Sequence, residues 1–134
     1  MEVRARKLVA RGERTKLFDW MEKKGVDRLT SGVWAKALAK RDPLATQLVD
    51  RAVDALATAL ASSVNLLDVE AVVIGGGLGT RLGQAWADEI ALRMRPHLFR
   101  PDAAPLVRVS ALGDLAGAIG ASLLVESAQS AARA

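Results

Sequence analysis

The chain contains no cysteine and no tyrosine. The first absence removes disulfides and thiolate zinc ligands from these 134 residues. A single histidine, His97, excludes both a Cys/His nucleophilic pair and a histidine-rich metal set within them. His97 follows Pro96 at a helix end, which fits a structural place at the surface. Aromatics amount to two Phe and three Trp. Large-residue packing therefore falls to Leu, Val and Ile with Trp20, Trp34 and Trp86. No apolar run approaches the roughly 18 residues of a membrane span. The first residues lack the charged-then-apolar layout of a signal peptide. The expectation is a soluble, cytoplasmic protein with no membrane partner.

What is present is a core. Hydrophobic residues make up 51% of the chain, which excludes a disordered composition. The length suits one domain's worth of buried volume. The formal charge is +4, and Arg4, Arg6, Lys7, Arg11 and Arg14 crowd the first fifteen positions. They alternate with Val3, Leu8 and Val9, and no aromatic sits among them. That pattern reads as a solvated helix face. A nucleic-acid patch or docking to an acidic protein surface are the weaker readings.

Helical spacing organises the first half. Residues 2–11 form a short helix that Gly12 ends. A second helix covers 16–24, with Thr15 as its cap, Leu17, Phe18 and Met21 on its apolar face, and Gly25 as its terminator. Thr30 or Ser31 caps a third, with Val33, Trp34, Ala37 and Leu38 on one side. Asp42 and Pro43 are a strong helix start. Leu44, Leu48, Ala52, Leu56, Leu60 and Val64 then recur every four residues, widened by Val49, Val53 and Leu67. A helix over 43–67 is roughly 37 Å long at about 1.5 Å per residue. Asn65, near its uncharged lower half, needs a polar partner.

Periodicity changes after Asp68. Ala71 to Ile74 is apolar without alternation, the pattern of a strand covered on both faces. A helix capped by Thr80 follows, with Leu82, Trp86, Ile90 and Met94 in line, and Pro96 stops it. Leu106 to Val109 is the second strand, Leu112-Gly113-Asp114 a turn with Asp114 as cap, and 115–129 the last helix. Gly117 and Gly120 cost that helix about 1 kcal/mol each against alanine, and they admit a close neighbour. The two strands form a parallel pair joined through a helix. A two-stranded sheet leaves an exposed edge, so the chain is expected to pack against a partner.

The run Val72-Val73-Ile74-Gly75-Gly76-Gly77-Leu78-Gly79 is the main chemical signal. Glycine permits positive φ and a close backbone approach. The N–H groups of Gly76 to Thr80 precede a helix and suit a phosphate or sugar. The spacing matches neither the dinucleotide fingerprint nor the Walker A loop. A tight structural turn and a ligand-contacting loop remain equal alternatives on the residues alone. In a parallel pair, the loops after both strands emerge at one edge, so Gly113 is brought beside Gly75–Gly79. Arg81 is within reach of that edge, although a surface place fits it as well. Asp50 and Asp54 share a wet helix face, and Asp88 and Glu89 point apart. No catalytic and no metal residue is assigned.

Several stretches together resemble the ROK family of sugar kinases and repressors. They are Asp42-Pro43-Leu44 with the long helix, Val64-Asn65-Leu66-Leu67-Asp68, the glycine run, and Leu112-Gly113-Asp114-Leu115-Ala116-Gly117-Ala118-Ile119-Gly120-Ala121. Asp27-Arg28-Leu29-Thr30-Ser31-Gly32-Val33-Trp34 resembles the glucokinase branch. The resemblance implies a helix-rich α/β fold, part of an actin-like ATPase (ribonuclease H-like) lobe. It divides the chain into a helical segment, 1–41, and a C-terminal lobe core, 42–134. It implies ATP and Mg²⁺ for a full-length parent, with Gly75, Gly76, Gly77, Gly79, Thr80 and Gly113 on the adenosine side. The family's Asp-x-Gly-x-Thr phosphate loop, its Asn-Asp base, its sugar-contacting His-Glu region and its cysteine zinc motif are absent from these residues. The implied function is therefore the nucleotide-side portion of a glucokinase-like enzyme, inactive alone and needing no cofactor itself. Its partners are the missing N-terminal lobe and a second copy in a homodimer or larger oligomer, with sugar bound only by the parent. The equivalent part of a ROK repressor, or a helical interaction module, are the alternatives.

Overall fold

The computed structural model describes residues 1–131, with backbone alone at Asp114 and over 126–131. Its elements are α1 (Glu2–Val9), α2 (Leu17–Lys23), α3 (Ser31–Ala39), α4 (Pro43–Leu67), β1 (Ala71–Ile74), α5 (Gly76–Met94), β2 (Leu106–Val109) and α6 (Ala116–Ala131). The result is a helix-rich α/β arrangement with a long central helix and a short parallel strand pair.

Helix α4 starts and stops for local reasons. Asp42 accepts the Ala45 N–H at 2.9 Å, and Pro43 occupies the first turn. At the other end Asp68 adopts a left-handed φ of 51°, a conformation Asp tolerates better than most residues. Asn65 finds the partners its position demands. Its Nδ2 donates to the His97 carbonyl at 2.9 Å, and its Oδ1 accepts the Phe99 N–H at 2.9 Å. That tie holds the end of α4 to the turn that follows α5.

The buried line of α4 differs from a strict four-residue repeat. Leu44, Ala45, Leu48, Val49, Val53, Ala57, Ala61 and Val64 are buried, whereas Ala52, Leu56 and Leu60 are half-buried. Steps of four drift around a helix of 3.6 residues per turn, so the true seam mixes threes and fours. Ala57 and Ala61 have small side chains on this buried line, and α5 packs on the same helix. Ile90, Met94 and Ala87 of α5, Val33, Trp34 and Ala37 of α3, and Leu17 and Ala5 from the first helices complete the core.

The strands pair in parallel, with Ala71 opposite Leu106 and Ile74 opposite Val109. Only one face is covered, contrary to the reading of β1 as doubly buried. Val72, Ile74, Val107 and Val109 lie toward the core. On the other face Val73 is 66% exposed and Leu106 60%. The residues alternate faces, so half of an apolar run opens to solvent once no second layer covers it. The free edge of β2 is partly occupied by a side chain. Gln84 Nε2 donates to the Val107 carbonyl at 2.9 Å, and its Oε1 accepts the Val109 N–H at 3.2 Å. A side-chain amide thus stands in for a neighbouring strand.

Helix α5 corrects two further expectations. It begins at Gly76, with Gly75 in the cap position, so the triple glycine is itself the first turn. Thr80 is consequently inside the helix, and its Oγ1 donates back to the Gly76 carbonyl at 3.1 Å. The helix is also broken at Gly83, where φ is 70° and ψ −168°. Helix α6 follows a short turn at Gly113–Leu115; Leu115 of the turn and Leu124 and Val125 of the helix are exposed. A Cβ placed on Gly117 or Gly120 would meet nothing within 4 Å.

Candidate functional site

The glycine turn sits where β1 hands the chain to α5. Gly75 is extended, with φ −106°, and Gly76 has φ +81°. The second value requires glycine, since an L side chain there is strained. The amides of a helix's first turn lack intrahelical acceptors, and no side chain caps these. A Cβ on Gly75 or Gly76 would meet only open space, so internal packing does not demand glycine at either place. Gly79 has a different reason. A Cβ there would lie 2.9 Å from Ile74 Cγ2, so this glycine lets α5 close onto β1. It is buried and serves packing.

An open groove of about 460 Å³ runs in front of the turn. Gly75 to Gly79 form one wall, and Leu56, Leu60, Val72 and Trp86 supply an apolar floor. Trp86 carries a buried indole N–H with no acceptor among the described residues. Trp86, expected from the sequence as core or interface, packs against the core and also lines this groove, which the sequence did not reveal. Gly113 begins the turn after β2 with φ +56°, and that turn packs on α5. Because Ile74 pairs with Val109, both strands end at the same edge, and the two glycine turns leave from it together.

Other side chains singled out in the sequence are engaged elsewhere. Arg81 donates to Ser31 Oγ at 3.2 Å, linking α5 to α3. Arg93 holds Glu89 at 2.7 Å, Asp54 at 2.7 Å and Asp50. These hydrogen bonds push the guanidinium pKa above its usual value, Asp50 contributing most. Asp50 and Asp54 are thus part of a clamp between α4 and α5. Asp88 accepts from Gln84 at 2.8 Å, and the His97 carbonyl accepts from Asn65. The Asp114 side chain, read as a cap, lies outside what is described. Among the described residues no three His, Asp or Glu gather in metal-ligating geometry, and no helix is long and apolar enough to cross a membrane.

Comparison with known proteins assigns the class. The sequence profile of the ROK family matches residues 18–128. The chain is 33% identical over 95 residues to an N-acetylgalactosamine kinase of Shewanella sp. (strain ANA-3), a match covering 68% of this chain and 29% of that protein. It is 34% identical over 86 residues to N-acetyl-D-glucosamine kinase of Yersinia pseudotuberculosis, covering 64% of this chain and 28% of the relative. A crystal structure of a candidate sugar kinase from Cytophaga hutchinsonii superposes with a TM-score of 0.61 at 22% identity, over 75% of this chain and 34% of that one. The chain belongs to the ROK family. Its matches span 28–29% of the length of these curated relatives.

Proposed function

We infer that this chain is the nucleotide-side portion of an ATP-dependent sugar kinase and has no kinase activity alone. The observation that carries the reading is the glycine turn of a ROK-family chain. Gly76 is held at φ +81°, and open space lies where Cβ atoms of Gly75 and Gly76 would stand. The first-turn amides of α5 offer donors to a sugar or phosphate oxygen. Leu56, Leu60, Val72 and Trp86 offer an apolar surface to a nucleobase. Gly77, Thr80 and Gly113 border the same edge in this reading, and Gly79 acts through packing.

ATP, with Mg²⁺, supplies the transferable phosphoryl group when bound. This chain's part is to bind and orient the nucleoside. No carboxylate of the glycine turn stands ready to take a proton from a sugar hydroxyl, and no Asp-x-Gly-x-Thr loop is present to hold phosphates. Those tasks fall to the remainder of a two-lobed, actin-like ATPase, and the open sheet face and α6 are where it packs. Two relatives named as N-acetylhexosamine kinases favour a kinase over a repressor. They add N-acetylhexosamines to the glucose suggested by residues 27–34. Titration of the 134-residue chain with ATP and Mg²⁺, followed by amide NMR, tests the reading. Expected are saturable shifts at Gly75–Thr80 and Gly113 that Gly76→Asp suppresses, with no phosphorylation of glucose or N-acetylglucosamine. Shifts confined to other residues, or turnover by the chain alone, overturn it.

A further inference from the structure

A second concavity, of about 780 Å³, lies between α2 and the α3–α4 junction. It shares no lining residue with the glycine groove. Arg14, Lys16, Lys23, Lys40 and Arg41 line it, with Trp20 in its wall. None of these five cations forms an ion pair among the described residues. Two carboxylates also line it. Asp42 is turned inward and fully used, accepting from Thr15 Oγ1 at 2.9 Å, the Lys16 N–H at 2.8 Å and the Ala45 N–H at 2.9 Å. Asp19 is left as the only exposed one. Cations gathered in a concave surface reinforce one another's field.

The backbone of Arg41 is the second observation. Helix α3 closes with the Asp42 N–H on the Ala37 carbonyl and the Arg41 N–H on the Leu38 carbonyl. This is the double-bonded helix ending whose left-handed residue is usually glycine. Here it is Arg41, with φ 52°. An arginine at such a site costs backbone energy that glycine would not, and a strained residue is a pointer to a role. Its side chain lines the basic concavity.

We propose that this concavity binds a small anion carrying several phosphate groups. The volume suits a small ligand rather than an extended strand, and five cations exceed what one phosphate needs. Lys40 and Arg41 reach it from the α3–α4 junction, and Arg14, Lys16 and Lys23 from α2 and the residues before it.

Inorganic pyrophosphate is the probe, titrated at low salt into the full chain and followed by amide NMR. Saturable shifts are expected at residues 14–23 and 40–43, weakening as salt screens the site. Arg41→Gly separates ligand binding from folding. It keeps the left-handed backbone and removes its strain, so the thermal midpoint rises. The dissociation constant rises about tenfold through loss of a charge-assisted bond. Unchanged affinity in Arg41→Gly overturns the proposal. So do shifts absent from residues 14–23 and 40–43. A single-stranded oligonucleotide that displaces pyrophosphate from the same amides at lower concentration also overturns it, in favour of nucleic acid.

Discussion

Asp42 joins two segments through one carboxylate that is 6% exposed. It caps α4, fixes the start of α2 through the Lys16 N–H, and holds Thr15, whose Oγ1 in turn accepts the Leu17 N–H at 3.1 Å. Asp42→Ala removes a cap and leaves buried donors without acceptors. The expected loss is about 3 kcal/mol, combining a cap with unsatisfied N–H groups. That corresponds to a midpoint lower by roughly 10 °C in thermal unfolding. Asp42→Asn keeps one carbonyl acceptor and is expected to lose less. A second residue reads out pH. The Leu29 N–H donates to Glu2 Oε2 at 2.9 Å, and Arg6 Nη2 donates to Glu2 Oε1 at 2.6 Å. The backbone bond first, then Arg6, hold the Glu2 carboxyl below its ordinary value. A depressed folded pKa means stability present at neutral pH and lost as pH falls through it. Glu2→Gln is expected to flatten the acid limb of the stability–pH curve, measured by urea unfolding across that range. An unchanged slope counts against the bond's role.

At the scale of elements, glycines decide the path between the strands. Gly83 sits at φ 70° and ψ −168°, a region that other residues avoid. A Cβ there meets nothing, so the cost of Gly83→Ala is backbone strain alone, about 1–3 kcal/mol. The break also sets Gln84 against β2, so the variant is expected to weaken protection of the β2 amides in hydrogen exchange. Gly117→Ala is the contrasting control. With open space and ordinary helical backbone, it is expected to stabilise α6 by about 1 kcal/mol. This contrast marks what the sequence could and could not tell. Asp42-Pro43 and the loss of helical spacing after Asp68 announced α4 and β1 to the residue, and β2 was equally plain. The start of α5 was not, because glycine has poor helix propensity and nothing local distinguishes a glycine loop from a glycine first turn. The Gly83 break left only the mark of a glycine within a helical pattern. The turn's glycines were legible as a candidate site. Its apolar floor was not, because Leu56, Leu60 and Trp86 look like core until the groove exists. The basic concavity was invisible for a further reason. Arg14 and Lys40 are distant in sequence, and the Asp42 hydrogen bonds and the packing of α2 on α3 bring their segments together.

Across the whole molecule, the apolar surface left open is the dominant feature. Val73 and Leu106 lie diagonally on one face of the strand pair, Val73 opposite the exposed Arg108 and Leu106 opposite Ala71. Leu115, at the head of α6, is 66% exposed, and Leu124 and Val125 further along are open as well. Gln84 protects the β2 edge, which directs association away from strand addition there and toward the open face. Large apolar side chains left open in this number mark surface that packs against protein. In the absence of the lobe inferred to cover it, a second copy of the chain is the available occupant at high concentration. Light scattering is therefore expected to give an average mass above the 14.2 kDa of one chain, rising with concentration. Val73→Lys with Leu106→Lys places two like charges on that face. The pair is expected to return the mass to one chain, with a small fall in thermal midpoint because the ammonium of Val73→Lys would face Arg108 across the strands. A wild-type mass that stays at one chain at millimolar concentration refutes the self-association. A double variant that still associates moves the contact to α6, where Leu124→Lys then becomes the deciding substitution.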